Sequence, residues 1–425
     1  MDERAFEEIV RAESGRVLSA LIARSHDLDL AQDAYGEALL AAWEAWPVDG
    51  VPDNPGAWLT TVARNRMLDR LRREAQRPRR EFAAVRMGGI ATVEVEDVEA
   101  QAARLRDDPL EDDELQLVFL CCHPALSQEA QIALTLRTVS GLTTPEIARA
   151  FLVPESTMSQ RILRAKRKIA RAGIPFRMPE AAELPSRLAA VLHIVYLVFT
   201  EGWNSTGTAD VVRADLCAEA LRLARLLHRL LPDEPEVAGL LALLLLHDAR
   251  RGGRAGPHGE LVPLVEQDRD RWNRAQVAEG VALIERTLPL GIVGPYQVQA
   301  AIAALHAEAP TAAATDWAQI LALYDLLERL EPSPLVTLNR AVALAEVEGT
   351  EPALRILDTL VSSATLAGNH RLYATRAHLL ARAGRFDEAS ADFARAAAAS
   401  PSAAERSYLT AREAALRTAL ASNGT

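Results

Sequence analysis

Residues 145–169, PEIARAFLVPESTMSQRILRAKRKI, decide the fold of the amino-terminal part of the chain. The pattern predicts two helices joined by a turn, with the second helix starting after Pro154. Beyond this proline, apolar side chains recur at three- and four-residue spacing, which is the period of one helix face. These side chains are Met158, Ile162, Ala165 and Ile169. We expect this stripe to pack inward.

The opposite face of the second helix is polar and basic. A rotation of about 100° per residue places seven candidates for groove contact on this face or its flanks. They are Ser156, Ser159, Gln160, Arg161, Leu163, Arg164 and Arg167. Arginine and lysine contact phosphates, whereas serine and glutamine can contact base edges. Taken alone, the pattern also fits a surface helix with a solvated basic face.

Charge is unevenly distributed along the 425 residues, whose formal net charge is −11. Residues 54–80 contain eight basic and two acidic residues, and residues 141–171 contain seven and two. The segments between and around them are acidic. Because a local basic patch decides where phosphate binds, the net charge does not exclude a nucleic-acid partner.

Composition predicts an all-α protein of several domains. Hydrophobic residues make up 49% of the chain and aromatic residues only 5%, and long stretches have helical periodicity. The start of the chain lacks an apolar signal core, and the apolar runs at 189–199 and 237–246 are too short to cross a bilayer. With three cysteines, two of them adjacent, we expect a cytoplasmic protein in a reducing compartment.

The first basic segment also predicts a two-sided helix. Ala63, Met67, Leu68 and Leu71 share one face. The opposite face carries Asn65, Arg66, Asp69, Arg70 and Arg73.

A further helix is expected at residues 27–46. Its inward residues would be Tyr35, Leu39, Ala42, Trp43 and Trp46. Its outward face carries Asp33, Glu37, Leu40 and Glu44. An acidic face with one large apolar residue suits protein docking, although an ordinary solvated face explains this segment equally well.

The order of these parts resembles the extracytoplasmic-function sigma factors. Residues 31–43, AQDAYGEALLAAW, are similar to the D-L-V-Q-E-x-F-x-x-x-W motif of region two, with Gly36 and Leu39 replacing the usual glutamine and phenylalanine. Residues 57–74 resemble the segment that opens and reads the minus-ten promoter element. Residues 145–169 resemble region four, which binds the minus-thirty-five element. The resemblance implies RNA polymerase core, through its clamp and flap regions, and promoter DNA as partners, with Asp33, Glu37 and Leu40 in polymerase contact.

The resemblance also implies a domain order. We expect region two at 1–75, a flexible linker at 76–109 and region four at 110–172. A tether of this kind would let two DNA-binding domains reach separate promoter elements.

More than half of the chain follows. Residues 373–401 resemble a tetratricopeptide repeat, with Tyr373, Ala377, Leu380, Gly384, Phe386, Ala389, Phe393, Ala396 and Pro401 at consensus positions. A weaker copy precedes it, and residues 402–418 would form a capping helix. We therefore expect a helical extension at 180–310 and a tetratricopeptide-like solenoid at 311–425. The segment FTEGWN, 199–204, followed by such repeats, resembles a sigma-factor group with a fused regulatory domain. Glu201, Trp203 and Asn204 are candidates for a ligand or interdomain site, and the favoured alternative is a buried helix cap around Asn204 to Thr206.

No catalytic residues, cofactor or metal ligands are expected. Cys121, Cys122 and His123 suggest a metal site, but adjacent cysteines do not readily ligate one ion, and buried free cysteines are common. The sequence therefore predicts a promoter-specificity subunit with no enzymatic activity. The alternative is a tetratricopeptide adaptor with a helix-turn-helix that regulates transcription without joining the polymerase.

Overall fold

A computed structural model describes residues 3–85, 110–151, 153–204, 212–256, 260–362, 366 and 368–423. In this part of the chain the regular structure is helical, apart from one isolated antiparallel bridge between Ala255 and Leu261. The all-α prediction is therefore confirmed. The chain divides into two compact units, Met1–Ile194 and Val195–Thr425.

In its described residues, the first unit contains seven complete helices. They are α1 (Glu3–Ser25), α2 (Leu28–Asp49), α3 (Pro55–Val85), α4 (Leu110–Cys121), α5 (Gln128–Thr138), α6 (Thr144–Ala150) and α7 (Glu155–Ala172). Helix α3 continues through the first ten residues of the expected linker. The rest of that linker, from residue 86 to residue 109, lies outside the described residues.

Local sequence sets several of these helix ends. The Asp27 side chain caps α2 by accepting hydrogen bonds from the amides of Asp29 and Leu30. At the start of α6, Thr143 and Glu146 form a capping box in which each side chain bonds the other residue's backbone N–H. These caps supply partners for the amide groups that a helix start leaves unpaired.

Helix α8 (Leu184–Trp203) crosses the boundary between the two units. Among the described helices, it alone is long and apolar enough to cross a membrane, by length and composition only. Val191, Val195 and Val198 on this helix are buried in the protein.

The second unit is built from consecutive helices. They are α9 (Ala214–Leu230), α10 (Pro235–Asp248), α11 (Arg251–Arg254), α12 (Arg274–Thr287), α13 (Pro295–Glu308), α14 (Trp317–Leu330), α15 (Pro334–Glu348), α16 (Thr350–Val361), α17 (His370–Arg382), α18 (Phe386–Ala399) and α19 (Ala403–Asn423). Each helix from α14 onward packs against its neighbour in sequence.

Seven of the nine repeat positions expected from sequence fall on α17 and α18, while Gly384 lies between these helices and Pro401 lies after α18. Ala377, Ala389, Phe393 and Ala396 are buried, whereas Phe386 is 39% exposed. Gly384 has a φ of 77°, which explains a glycine in the turn between the two helices. The tetratricopeptide assignment itself stays a prediction.

Candidate nucleic-acid interface

Helix α7 has the two faces that its sequence predicts. It begins after Pro154, and its buried residues are Met158, Ile162, Ala165 and Ile169. These four are the predicted apolar stripe, so this prediction is confirmed. The helix ends where Gly173 adopts a left-handed conformation, with φ 60°.

The seven groove candidates lie on the other side of α7. Ser156, Ser159, Gln160, Arg164 and Arg167 are exposed, and Arg161 and Leu163 are half-buried. A basic surface with short polar side chains is therefore available, as phosphate and base-edge contacts require. The turn residue Leu152, whose place is often taken by glycine in the resembling domains, lies outside the described residues.

Helix α3 also has its predicted faces. Ala63 and Met67 are buried, and the candidate residues Asn65, Arg66, Asp69 and Arg73 are exposed, with Arg70 half-buried. On α2, Asp33, Glu37 and Leu40 face solvent, and Leu40 is 67% exposed.

One inward assignment on α2 is wrong. Trp43 is 46% exposed, although Tyr35, Ala42 and Trp46 are buried as predicted and Leu39 is half-buried. Trp43 lies at the edge of the buried face, where the Phe6 ring meets it edge-on with ring centres 5.1 Å apart. A single small ring covers only part of an indole, which leaves an apolar surface next to Leu40.

The structure brings together two residue sets that the sequence assigns to different partners. Arg70 Nη1 lies 2.6 Å from Asp33 Oδ2, and Arg66 Nε lies 3.9 Å from Glu37 Oε2. The acidic docking candidates on α2 therefore neutralise basic minus-ten candidates on α3. Both pairs are about half-exposed, so each is readily exchanged for another partner.

Two further ion pairs join the amino-terminal helices to the helix-turn-helix. Arg11 Nη2 on α1 lies 2.5 Å from Glu146 Oε1 on α6, and Lys166 Nζ on α7 lies 2.8 Å from Asp29 Oδ1 on α2. Burial tends to raise the pKa of Glu146, but hydrogen bonds from Thr143 and the Arg11 guanidinium lower it overall. Sequence reasoning missed both pairs because partners more than a hundred residues apart leave no local signal.

The three cysteines are buried, as expected. Burial raises the pKa of Cys122 to about 11 and that of Cys217 to about 12, so these thiols are protonated at neutral pH. The described residues contain no group of three or more His, Cys, Asp or Glu side chains placed to hold a metal ion.

Comparisons with known proteins agree with this geometry. Residues 9–77 match sigma-70 region 2, residues 116–169 match sigma-70 region 4, and residues 187–288 match a family of unknown function (DUF6596). The chain is 29% identical to the RNA polymerase sigma-H factor of Pseudomonas aeruginosa over 176 residues, which are 40% of this chain and 87% of the relative. It is 45% identical to an uncharacterised protein of Rhizobium meliloti (strain 1021) over 398 residues, 93% of this chain and 92% of the relative.

A region 2 match argues against the adaptor alternative, because an adaptor that does not join the polymerase has no use for that domain. Both sigma regions, in this order and followed by a further helical part, are present in one polypeptide. The chain therefore belongs to the sigma-70 family of RNA polymerase sigma factors and carries a fused carboxy-terminal domain.

Proposed function

We propose that region 2 of this sigma factor docks on the polymerase and captures melted minus-ten DNA, while region 4 reads the minus-thirty-five duplex. The two sigma regions imply RNA polymerase core and promoter DNA as partners. Sigma factor families initiate transcription without chemistry of their own. We accordingly place this chain in the cytoplasm, as a specificity subunit that binds and does not catalyse.

The observation that carries the region 4 assignment is the division of α7 into four buried apolar residues and an exposed basic face. Because the buried side chains fix the orientation of α7, the same polar and basic side chains face outward towards DNA. Arg164 and Arg167 would contact phosphates or guanine, and Ser156 and Gln160 would contact base edges. This is the geometry by which a helix-turn-helix places its second helix in the major groove.

Region 2 is proposed to use two surfaces. Asp33, Glu37 and Leu40 on α2 would contact the polymerase clamp, and region 4 would contact the flap. Leu40 supports this assignment because a largely exposed leucine beside the half-exposed Trp43 gives a docking face an apolar centre.

The minus-ten surface is proposed on α3. Its exposed Asn65 and Asp69 can hydrogen-bond to unstacked bases, and Arg66, Arg70 and Arg73 can follow the backbone of a melted strand. The fused carboxy-terminal domain would then set how readily these surfaces are used.

Transcription in vitro with core polymerase, the purified full-length chain and candidate promoters tests the proposal. We expect promoter-specific transcripts that disappear without the chain. A chain ending at residue 194, the boundary of the first compact unit, tests the role of the fused domain once its helicity is confirmed by circular dichroism. Absence of promoter-specific initiation with both proteins would refute the proposed function; equal activity of both across promoters would refute the regulatory role.

A further inference from the structure

Four segments that are distant in sequence surround a cavity of about 280 Å³ in the second unit. They are the end of α8, the end of α11 with the residues that follow it, the start of α17 and the start of α19. This volume is close to the lower end of the range for small-molecule sites. The cavity therefore has room for a small metabolite and not for a peptide.

One cation in the cavity wall is held firmly in place. The Arg254 guanidinium lies over the Trp203 ring, 4.3 Å from the ring centre, and its Nη1 donates a hydrogen bond to the Trp203 carbonyl. Burial and the nearby Arg250 lower the pKa of Arg254 to about 10, so the group stays charged at neutral pH. Stacking on the indole leaves the remaining N–H donors in a fixed plane.

A second buried guanidinium, that of Arg250, adds positive charge near Arg254. The Arg250 guanidinium lies 5.8 Å from the Trp203 ring centre and donates to His247 Nδ1 at 2.8 Å. Burial and the two arginines keep the pKa of His247 well below its ordinary value, so this ring is neutral. Among the described residues, no carboxylate lies within 4.0 Å of either guanidinium. These two guanidinium groups are partly removed from water and, in the described part of the chain, have no carboxylate partner at that distance. They therefore favour the binding of an anion.

The negative charge of Glu405 in the lining acts on Arg254 and Arg371 from a distance, but its carboxylate bonds to other side chains. His370 Nε2 lies 3.1 Å from Glu405 Oε2, and the Ser400 hydroxyl donates to the same oxygen at 2.6 Å. The carboxylate is therefore engaged by His370 at the start of α17 and by Ser400, which precedes α19. Arg371, exposed at the start of α17, adds a second guanidinium to the lining.

The helix directions add to this potential. Helices α17 and α19 both begin at the cavity, with His370 and Arg371 in the first turn of one and Glu405 in the first turn of the other. The Asn369 and Ser402 side chains already accept hydrogen bonds from the amides of Arg371 and Glu405, so these helix starts contribute the partial positive charge of their dipoles. Two of them beside two arginines favour a negatively charged group.

We propose that this cavity binds a small molecule that carries an oxyanion, a carboxylate or a phosphate, held by the Arg254 and Arg371 guanidinium groups. Guanidinium matches the planar or tetrahedral oxygen geometry of both groups. Asn204 supplies an amide for the neutral part of the ligand.

Binding would restrain two parts of the second unit together. Asn204 and Arg254 belong to the part that matches the family of unknown function, whereas Arg371 belongs to the helical hairpins that follow it. The inference concerns binding in the second unit alone and does not rest on the proposed role in transcription.

Thermal unfolding of the full-length chain tests the proposal. The probes are sodium phosphate, sodium succinate and 3-phosphoglycerate, with sodium chloride at matched ionic strength as the reference. We expect at least one probe to raise the transition temperature in a concentration-dependent way, as a ligand of the folded state does. A response to succinate alone assigns a carboxylate ligand, and a response to phosphate alone assigns a phosphate ligand.

Three variants locate the site. Arg371→Gln, at an exposed position, should weaken the apparent affinity for the effective probe on the order of tenfold. Arg254→Lys keeps the charge but loses the planar fork, so it should also weaken binding. Arg355→Gln, at an exposed position on α16 outside the cavity, should leave it unchanged. The proposal is overturned if no probe acts beyond the chloride reference, or if the effect is the same in Arg371→Gln and Arg254→Lys as in the unaltered chain.

Discussion

Replacing Arg11 with glutamine should loosen the packing of region 4 on region 2 and strengthen binding to core polymerase. Arg11 on α1 and Glu146 on α6 are joined by an ion pair of 2.5 Å, and the same two regions are joined again by Lys166 and Asp29. In this arrangement both DNA-binding regions belong to one compact unit of residues 1–194.

Such a unit cannot reach both promoter elements. A compact domain of this length has a radius of gyration of about 16 Å, and so a span of roughly 40 Å. The minus-ten and minus-thirty-five elements are separated by roughly 25 base pairs, or about 85 Å at about 3.4 Å per base pair. If the two regions bind these elements as proposed, they must separate first, and the free energy of separation weakens the apparent affinity for polymerase.

The expected magnitude follows from the exposure of the pair. The Arg11 side chain is 40% exposed and that of Glu146 is 23% exposed, so the pair contributes about 0.5–1 kcal/mol to the closed arrangement. Arg11→Gln should therefore tighten binding roughly two- to fivefold. Titration of core polymerase with fluorescently labelled full-length chain measures this effect, which should shrink at high salt.

Two comparisons make the measurement specific. Glu146→Gln should have the same effect as Arg11→Gln, and the double variant should add little, because both changes remove one interaction. Arg24→Gln is the matched control on α1, since the Arg24 guanidinium bonds the Ala20 carbonyl and not region 4. The reasoning fails if Arg11→Gln binds polymerase no more tightly than Arg24→Gln does.

Other changes have separate expected outcomes. Ile162→Ala, in the buried stripe of α7, should destabilise the first unit by about 2–4 kcal/mol in urea unfolding; a loss below about 0.5 kcal/mol would contradict its core position. Arg164→Ala should weaken binding to a labelled promoter duplex by about 1–3 kcal/mol and reduce the salt dependence, whereas Arg355→Gln should change neither. Burial raises the pKa of Glu405, but hydrogen bonds from neighbouring side chains lower it overall, below the ordinary 4.5. Its contribution to stability is therefore present above about pH 4.5 and lost as the pH falls through the folded pKa; unfolding curves of Glu405→Gln should lack this component.

The periodic parts of the fold could be predicted from the sequence. On α7, the spacing of Met158 and Ile162 alone separates the buried face from the exposed one, because the helix repeat is fixed. The same reasoning failed at Trp43. The helix period predicts towards which side the Trp43 side chain points, but not whether a neighbouring helix extends far enough to cover it. The covering residue, Phe6, lies on another helix and is too small to bury the indole.

Contacts between distant segments could not be predicted. The pairs of Arg11 with Glu146 and of Lys166 with Asp29 join helices whose sequences suit many other arrangements. The FTEGWN segment suggested a ligand site or a helix cap, but only the fold brings its Asn204 beside Arg254 and Arg371. Residues 205–206 of the expected cap lie outside the described residues.

If α2 docks on the polymerase and α3 captures the minus-ten strand, as proposed, the ion pairs between these helices couple the two steps. If Asp33 pairs with a basic group on the clamp, as proposed, its 2.6 Å ion pair with Arg70 is broken. The pair is about half-exposed, so breaking it costs little. A substitution of Asp33 therefore alters two interactions at once, and its effect cannot be assigned to either one. Leu40 is uncharged and 67% exposed, and it takes no part in these ion pairs. If Leu40 lies on the docking face, as proposed, a loss of polymerase affinity on Leu40→Ala would report docking by itself.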